Sequence, residues 1–406
     1  MSRQPSKFLQ IHTLTSYPGS LLNRDDAGFA KRLPFGGVSR IRVSSQCLKR
    51  HWRRFQGEHS LARVLDENGN PVPLSVRSRV TFDREIRRPL VEGGESEERA
   101  RAATEALLAA VLQVSPGRAK KAEEDESADD KALHTGQVTV LGRPEVDFFL
   151  QVAREALAAE EDPKAVAKAI QDRFKKEERK NLLALLDAGL DAAVFGRMVT
   201  SDVLARCDAA LHVAHAFTVH GEEAEDDYFS AVDDLLAESG ETGSGHINTT
   251  ELTSGLFYGY VVVDVPLLVS NLTGCPQGAW ADADPKLARE VVRRIVHLIA
   301  TVSPGAKLGS TAPYAYAQMM LVEAGAEAPR TLANAFLKPV STQQDVVSST
   351  YRALADHLEE LDEVYGAPGG GRKALALGPK DQLGDRVGPL TSLSGLAQWA
   401  AEQVAP

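Results

Sequence analysis

Only three cysteines occur in the 406 residues, Cys47, Cys207 and Cys275. They stand far apart and form no Cys-x-x-Cys pair, which argues against a structural zinc site and against a disulfide framework. No apolar segment follows Met1. The longest apolar-rich run, residues 258–269, is interrupted by Asp264 and is too short to cross a bilayer. A cytoplasmic protein with no membrane partner is the simplest expectation. No glycine-rich dinucleotide fingerprint appears, and Ser303-Pro304-Gly305-Ala306-Lys307 lacks the Gly-Lys-Ser/Thr ending of a phosphate loop. No local Ser-His-Asp or Cys-His arrangement and no solenoid repeat is evident. No cofactor is expected.

A second absence is more informative. Between residues 31 and 54 there is no acidic side chain. Residues 1–54 carry eleven Lys and Arg against Asp25 and Asp26, so a chain of net charge −10 divides into a segment of +9 and a remainder of −19. A protein that is acidic overall can still hold a basic strip for a polyanion.

Alternation of apolar residues predicts a strand over 7–15, followed by a turn-rich loop from Ser16 to Gly37 and a short strand at 40–43. Ser44 or Ser45 is suited to cap a helix running to about Phe55. On that helix Leu48, Trp52 and Phe55 share one face, and Gln46, Lys49 and Arg53 share another. Residues 57–189 read as a mostly helical insertion, with helices at about 98–112, 145–158 and 163–187 and a charge-dense loop at 118–131. Further strands are expected at 192–200, 256–265 and 315–323. Helices are expected at 208–219, 287–302 and from 347 to just before Gly366, and Gly240–Gly245 reads as a flexible tip.

The blocks Leu22-Asn23-Arg24-Asp25-Asp26, Phe35-Gly36-Gly37 and Arg42–Arg50 resemble the N-terminus of the CasC-type backbone subunit of the type I-E CRISPR Cascade complex. The resemblance continues at 195–198, 214–216, 226–234, 304–307 and 333–340. It implies an α+β fold with a ferredoxin-like, RRM-related palm (1–56, 190–225 and, with C-terminal helices, 255–406). Helical fingers (57–189) and a β-hairpin thumb (226–254) complete it. It also implies copies stacked head-to-tail along a guide crRNA, contacts with other Cascade subunits, and a target DNA that pairs with the guide. Arg77–Arg79 and the basic fingers surface are candidates to steer that DNA.

Ser44, Gln46, Lys49 and Arg53, with Arg50, are the leading candidates for guide contact, because resemblance and helix geometry select the same face. Asn23, Arg24 and Lys31 belong to the preceding loop and are expected to hold the backbone. Asp25 and Asp26 leave two roles open. They pair with a neighbouring cation or cap a turn, or they bind Mg²⁺ as in a ribonuclease backbone subunit. Arg197 and Met198 are further candidates for RNA contact; Met198 suits either an unstacked base or core packing. Ile247 and Leu252, flanking a Thr/Asn-rich turn, are candidate wedges between nucleotides or contacts to a neighbouring copy. Lys307 is a candidate for the RNA backbone. His212, His215 and His220 with Glu222 and Glu223 lack an obvious third metal ligand, so a packed helix is expected there instead.

Overall fold

The computed structural model describes residues 5–112, 133–135, 137–176, 189–197, 207–232 and 244–404. They fall into two compact units, one of residues 1–61, 211–266 and 281–406, the other of residues 62–210 and 267–280.

The first unit is built on an antiparallel sheet. Its central pair is β1 (Phe8–Ser20) and the 21-residue β7 (Ser244–Asp264), in register from Phe8–Asp264 to Tyr17–Gly255. On the far side of β1 lie β8 (Met319–Gly325) and then β9 (Gly371–Ala376). The other edge of β7 is shared by three segments: β4 (Leu211–Val213), β5 (Ala216–Thr218) and β6 (Glu223–Val232). Beyond β5 come β3 (Val38–Val43) and β2 (Arg32–Phe35).

Strand alternation places Leu14, Leu256, Tyr258 and Leu321 in one core, against Tyr351, Leu354 and Leu358 of α3 (Val346–Tyr365). Asp345 caps α3 by accepting from Val347 N and Ser348 N, and Gly366 ends it. Tyr17, Ile41, Val43 and Phe257 form another cluster, which Leu48 of α1 (Ser45–Arg54) joins. Each such side chain contributes about 1.5–3 kcal/mol on burial. Helix α2 (Lys286–Thr301) buries Val291, Val292, Ile295 and Leu298 and packs on α4 (Leu393–Glu402).

The β2–β3 hairpin turns on Gly36 (φ 64°) and Gly37 (φ 79°), the pair of positive dihedrals that a two-residue hairpin requires. A Cβ on Gly36 would lie 1.7 Å from the Leu337 carbonyl oxygen, so this glycine also permits a close approach of two backbones. The expected loop from Ser16 to Gly37 is therefore shorter, with β1 running to Ser20 and β2 occupying Arg32–Phe35.

In the second unit, helices Glu97–Leu112, Arg143–Ala159 and Pro163–Lys176 pack around Phe82, Leu107, Phe149, Val152 and Ile170. A two-stranded ribbon pairs Val76–Ser78 with Thr139–Leu141. The insertion expected to end at 189 belongs to a unit that continues to Ala210. The expected loop 118–131, the end of the helix expected to reach Asp187, and residues 240–243 of the expected tip lie outside the described residues.

Two elements differ in type from the sequence expectation. Leu190–Phe195 is a helix and not part of a strand over 192–200. All six of its residues are buried, so no polar face marks its period. The helix expected over 208–219 is replaced by β4 and β5. The alanines there favour a helix locally, but the open edge of β7 offers backbone partners that outweigh this preference. The strand expected at 315–323 begins only at Met319, and the residues before it are a loop.

Candidate nucleic-acid interface

The site grows from the junction of β3 and α1. Ser44 is the N-cap, its hydroxyl accepting from Cys47 N at 3.3 Å. The Asn23 side-chain oxygen accepts from Ser44 N at 2.9 Å, and the Asn23 carbonyl accepts from Lys31 N at 2.9 Å. One residue thus fixes both the helix start and the loop carrying Lys31. Trp52 is buried, and Leu48 packs on the sheet cluster as expected. Phe55 is half-buried and lies against Gly57 at the helix end. On the remaining surface of α1, Gln46 and Arg50 are exposed, and Lys49 and Arg53 are half-buried. Ser44 is buried and serves as the expected cap, its hydroxyl engaged with Cys47 N.

Burial pushes the Cys47 thiol up, and the positive charges of Arg50 and Lys31 pull against that shift. Lys31 also acts with Arg42 on His215, which burial first and these two cations second hold below the usual histidine value. Arg42 Nη1 lies 3.0 Å from His215 Nδ1.

Not all of the basic strip is available to a ligand. Arg40 is fully buried and donates to the carbonyls of Phe35, Thr218 and Phe336, with burial lowering its pKa. Arg32 pairs with Glu222 at 2.8 Å and with the buried Glu251, whose carboxylate also accepts from Ala30 N at 2.6 Å. Local sequence carries no sign of these partners, because Glu222 and Glu251 are 190 and 219 residues from Arg32.

Arg24 is exposed and its backbone bridges to Ala30. The loop between them is closed by Asp25, whose Oδ1 accepts from Ala27 N and Phe29 N at 3.0 Å each. Asp25 therefore caps a turn, one of its two expected roles. Asp26 is exposed.

Lys307 reaches the same region from the other half of the chain. Its Nζ donates to Thr250 Oγ1 at 2.5 Å, and Ala306 N donates to the Leu21 carbonyl at 2.9 Å. Asn23, Arg24, Lys31, Gln46, Lys49, Arg50, Arg53 and Lys307 all belong to the first unit.

Other candidates are placed differently. Arg197 belongs to the second unit and is fully buried, paired with the equally buried Glu145 at 2.5 Å. This removes it from the candidate surface. Arg77 is held by the buried Asp191 at 3.1 Å, and Arg79 donates to the Thr135 carbonyl. Met198 lies outside the described residues. Ile247 and Leu252 do not flank a turn: residues 244–264 are one continuous strand, and residues 233–243, which link β6 to β7, lie outside the described residues. Leu252 is half-buried opposite Glu225. His212 and His215 lie on and beside β4 and His220 is buried. Among the described residues no three His, Cys, Asp or Glu side chains converge as a metal site, and no helix is long and apolar enough to cross a membrane.

An antiparallel sheet flanked by helices, with a second, largely helical unit and a basic helix beside a capped loop, defines a mixed α/β protein with a candidate polyanion surface. The chain belongs to the family of CT1975-like Cas proteins, whose model matches residues 9–398. It is similar to a chain of a CRISPR RNA-guided surveillance complex in a pre-nicking state, with 28% identity and a TM-score of 0.76 over 97% of this chain and 99% of that one. A chain of another CRISPR RNA-guided surveillance complex shares the fold at 24% identity and a TM-score of 0.68, again over 97% and 99%. No curated protein matches the chain.

Proposed function

We propose that this chain is a guide-RNA-binding backbone subunit of a CRISPR surveillance complex, of the CasC type found in type I-E systems. The first unit serves as a ferredoxin-like palm, the second as fingers, and the β6–β7 ribbon as the thumb. Copies stack head-to-tail along the crRNA as an open helical filament. The guide's bases remain free to pair with target DNA, so specificity comes from base pairing while the protein holds backbone and shape. The partners are the crRNA, further copies of the chain, other Cascade subunits and, through the guide, the target DNA. The setting is the cytoplasm, and the subunit performs no covalent chemistry.

The observation that carries this reading is the surface of α1. Gln46, Lys49, Arg50 and Arg53 project from a helix whose start is capped by Ser44 and joined through Asn23 to the loop of Arg24 and Lys31. A helix start backed by cations is suited to phosphate. Similarity over nearly the full length of a surveillance-complex chain supports the same reading.

The test is RNA binding by Lys49→Glu at several salt concentrations. Affinity should fall and the log–log salt slope should become shallower by about 0.7 for each phosphate no longer neutralised. An unchanged slope would count against the proposal. In the alternative, a metal-dependent ribonuclease, Asp25 or Asp26 would support cleavage of complementary RNA with Mg²⁺. The commitment of Asp25 Oδ1 to two backbone amides favours the structural role. Site-specific cuts that disappear in Asp25→Asn or Asp26→Asn would reverse that preference.

A further inference from the structure

Between Thr311 and Met319 the chain inverts the usual order of burial. Small side chains point inward, with Pro313 and Ala317 buried and Ala315 half-buried, while two large rings point out. Tyr314 is 73% exposed and Tyr316 is 68% exposed. Neither side chain forms a hydrogen bond, ion pair or ring contact among the described residues. Isolated exposed aromatics are ordinary, but two on alternate positions of a pinned segment are not explained by packing.

The pinning is specific. Ser303 Oγ donates to the Ala315 carbonyl at 2.9 Å and accepts from Ala315 N at 3.0 Å. Ala317 N donates to the Ala300 carbonyl at 2.8 Å. Ahead of the rings, Ala312 takes a left-handed conformation (φ 39°, ψ 56°) without being glycine, and Tyr314 N bonds back to its carbonyl at 2.7 Å. Residues held in this region are strained by about 1 kcal/mol or more and persist where the surroundings enforce them. The segment is thus a held presentation of two rings.

Its location links it to the basic surface. Ala315, like Cys47 and Leu48 of α1, packs on the cluster that contains Leu21 and Leu22. The stretch of chain from Ser303 that pins Ala315 continues to Ala306, which bonds Leu21, and to Lys307. Leu21 precedes Asn23 by two residues, and Cys47 lies in the first turn of α1.

We infer that Tyr314 and Tyr316 form a stacking platform for an unpaired base of single-stranded RNA, beside the phosphate-holding surface; the inference rests on the RNA-binding reading above. Aromatic faces accept any base, as a subunit that repeats along an arbitrary guide requires. A protein contact is the competing occupant, but the neighbouring cations favour a polyanion.

The experiment measures binding of the full chain to a fluorescent oligouridylate for Tyr314→Ala/Tyr316→Ala, Tyr314→Phe/Tyr316→Phe and Lys49→Glu. The alanine pair should weaken binding about tenfold to a hundredfold. Its salt slope should stay that of the wild type, because no charge is removed. The phenylalanine pair, which keeps both rings, should stay within about twofold of the wild type. If the alanine pair binds normally while Lys49→Glu is impaired, the platform is refuted and the RNA-binding reading stands. If neither variant is impaired, that reading itself fails. If the alanine pair binds short RNA normally but loads fewer copies on long RNA, the rings contact a neighbouring chain and the platform is again refuted.

Discussion

The Asn23 side-chain oxygen accepts the amide proton of Ser44 at 2.9 Å, across 21 residues of sequence. Because Ser44 is buried, Asn23→Ala leaves its N–H without a partner. The cost is about 1–3 kcal/mol, which lowers the melting midpoint by several degrees in a unit of this size. RNA affinity should drop with an unchanged salt slope, since the substitution disorders the site without removing a cation. Asn23→Asp, which keeps an acceptor, should recover most of the midpoint. Melting curves and a salt titration of each variant check the two parts separately.

Arg32 and Glu251 form a partly buried ion pair that ties the start of β2 to β7. The arginine is also shared with Glu222. Arg32→Ala strands a carboxylate that is only 7% exposed, and breaking such a pair from one side costs about 3 kcal/mol. The double variant Arg32→Ala/Glu251→Gln removes the stranded charge and should be more stable than Arg32→Ala alone. A double variant no better than the single one would show that the carboxylate is not the source of the destabilisation.

The elements with a clear period are legible in the sequence. They include the strand of Leu9, Ile11 and Thr13, the Ser44 cap, the division of α1 into a Trp52 side and a Lys49 side, and helix α3 with its Gly366 stop. The failures share a cause. Leu190–Phe195 is buried all round, and β4 and β5 owe their conformation to the edge of β7, some forty to fifty residues later. Neither condition leaves a periodic trace in the local sequence. The site divides the same way. The cations of α1 are visible as unbalanced charge, but that charge does not reveal that Arg40 is sealed in the core or that Arg197 answers Glu145. Local pattern assigns Tyr316 to a strand, and the exposure of Tyr314 and Tyr316 emerges only from the pinning by Ser303.

Arg197 and Glu145 are both fully buried in the second unit. Truncation to Arg197→Ala leaves an uncompensated carboxylate and should cost about 3–5 kcal/mol. Replacing both members by apolar residues of similar volume, Arg197→Met with Glu145→Leu, should restore stability to near the starting value. RNA affinity of the double variant should remain unchanged. A specific fall in RNA binding in a variant of normal stability would make Arg197 a contact residue after all. Denaturant melts and RNA titrations on the same preparations separate these outcomes.

His297 stacks on His59 with ring centroids 3.7 Å apart and planes 16° from parallel. Burial first, then the charges of His59 and Arg293, push its pKa down to about 4, while Glu58 acts in the opposite sense. In the unfolded chain a histidine titrates near 6.5. Between these values the unfolded state holds a proton that the folded state does not, so stability must rise with pH across this window. The contribution is complete above about 6.5 and disappears progressively as the pH falls toward 4, with a slope of at most about 1.4 kcal/mol per pH unit for one proton. Unfolding free energies measured by denaturant at intervals from pH 7.5 to 4.5 should therefore fall more steeply for the wild type than for His297→Phe, which cannot take up the proton. His59→Ala, by removing one of the repelling charges, should give a slope between the two. Parallel profiles for the wild type and His297→Phe would mean that His297 titrates alike in the folded and unfolded chains, and that the stacked pair places no acid limit on the packing of α2 behind the segment that follows α1.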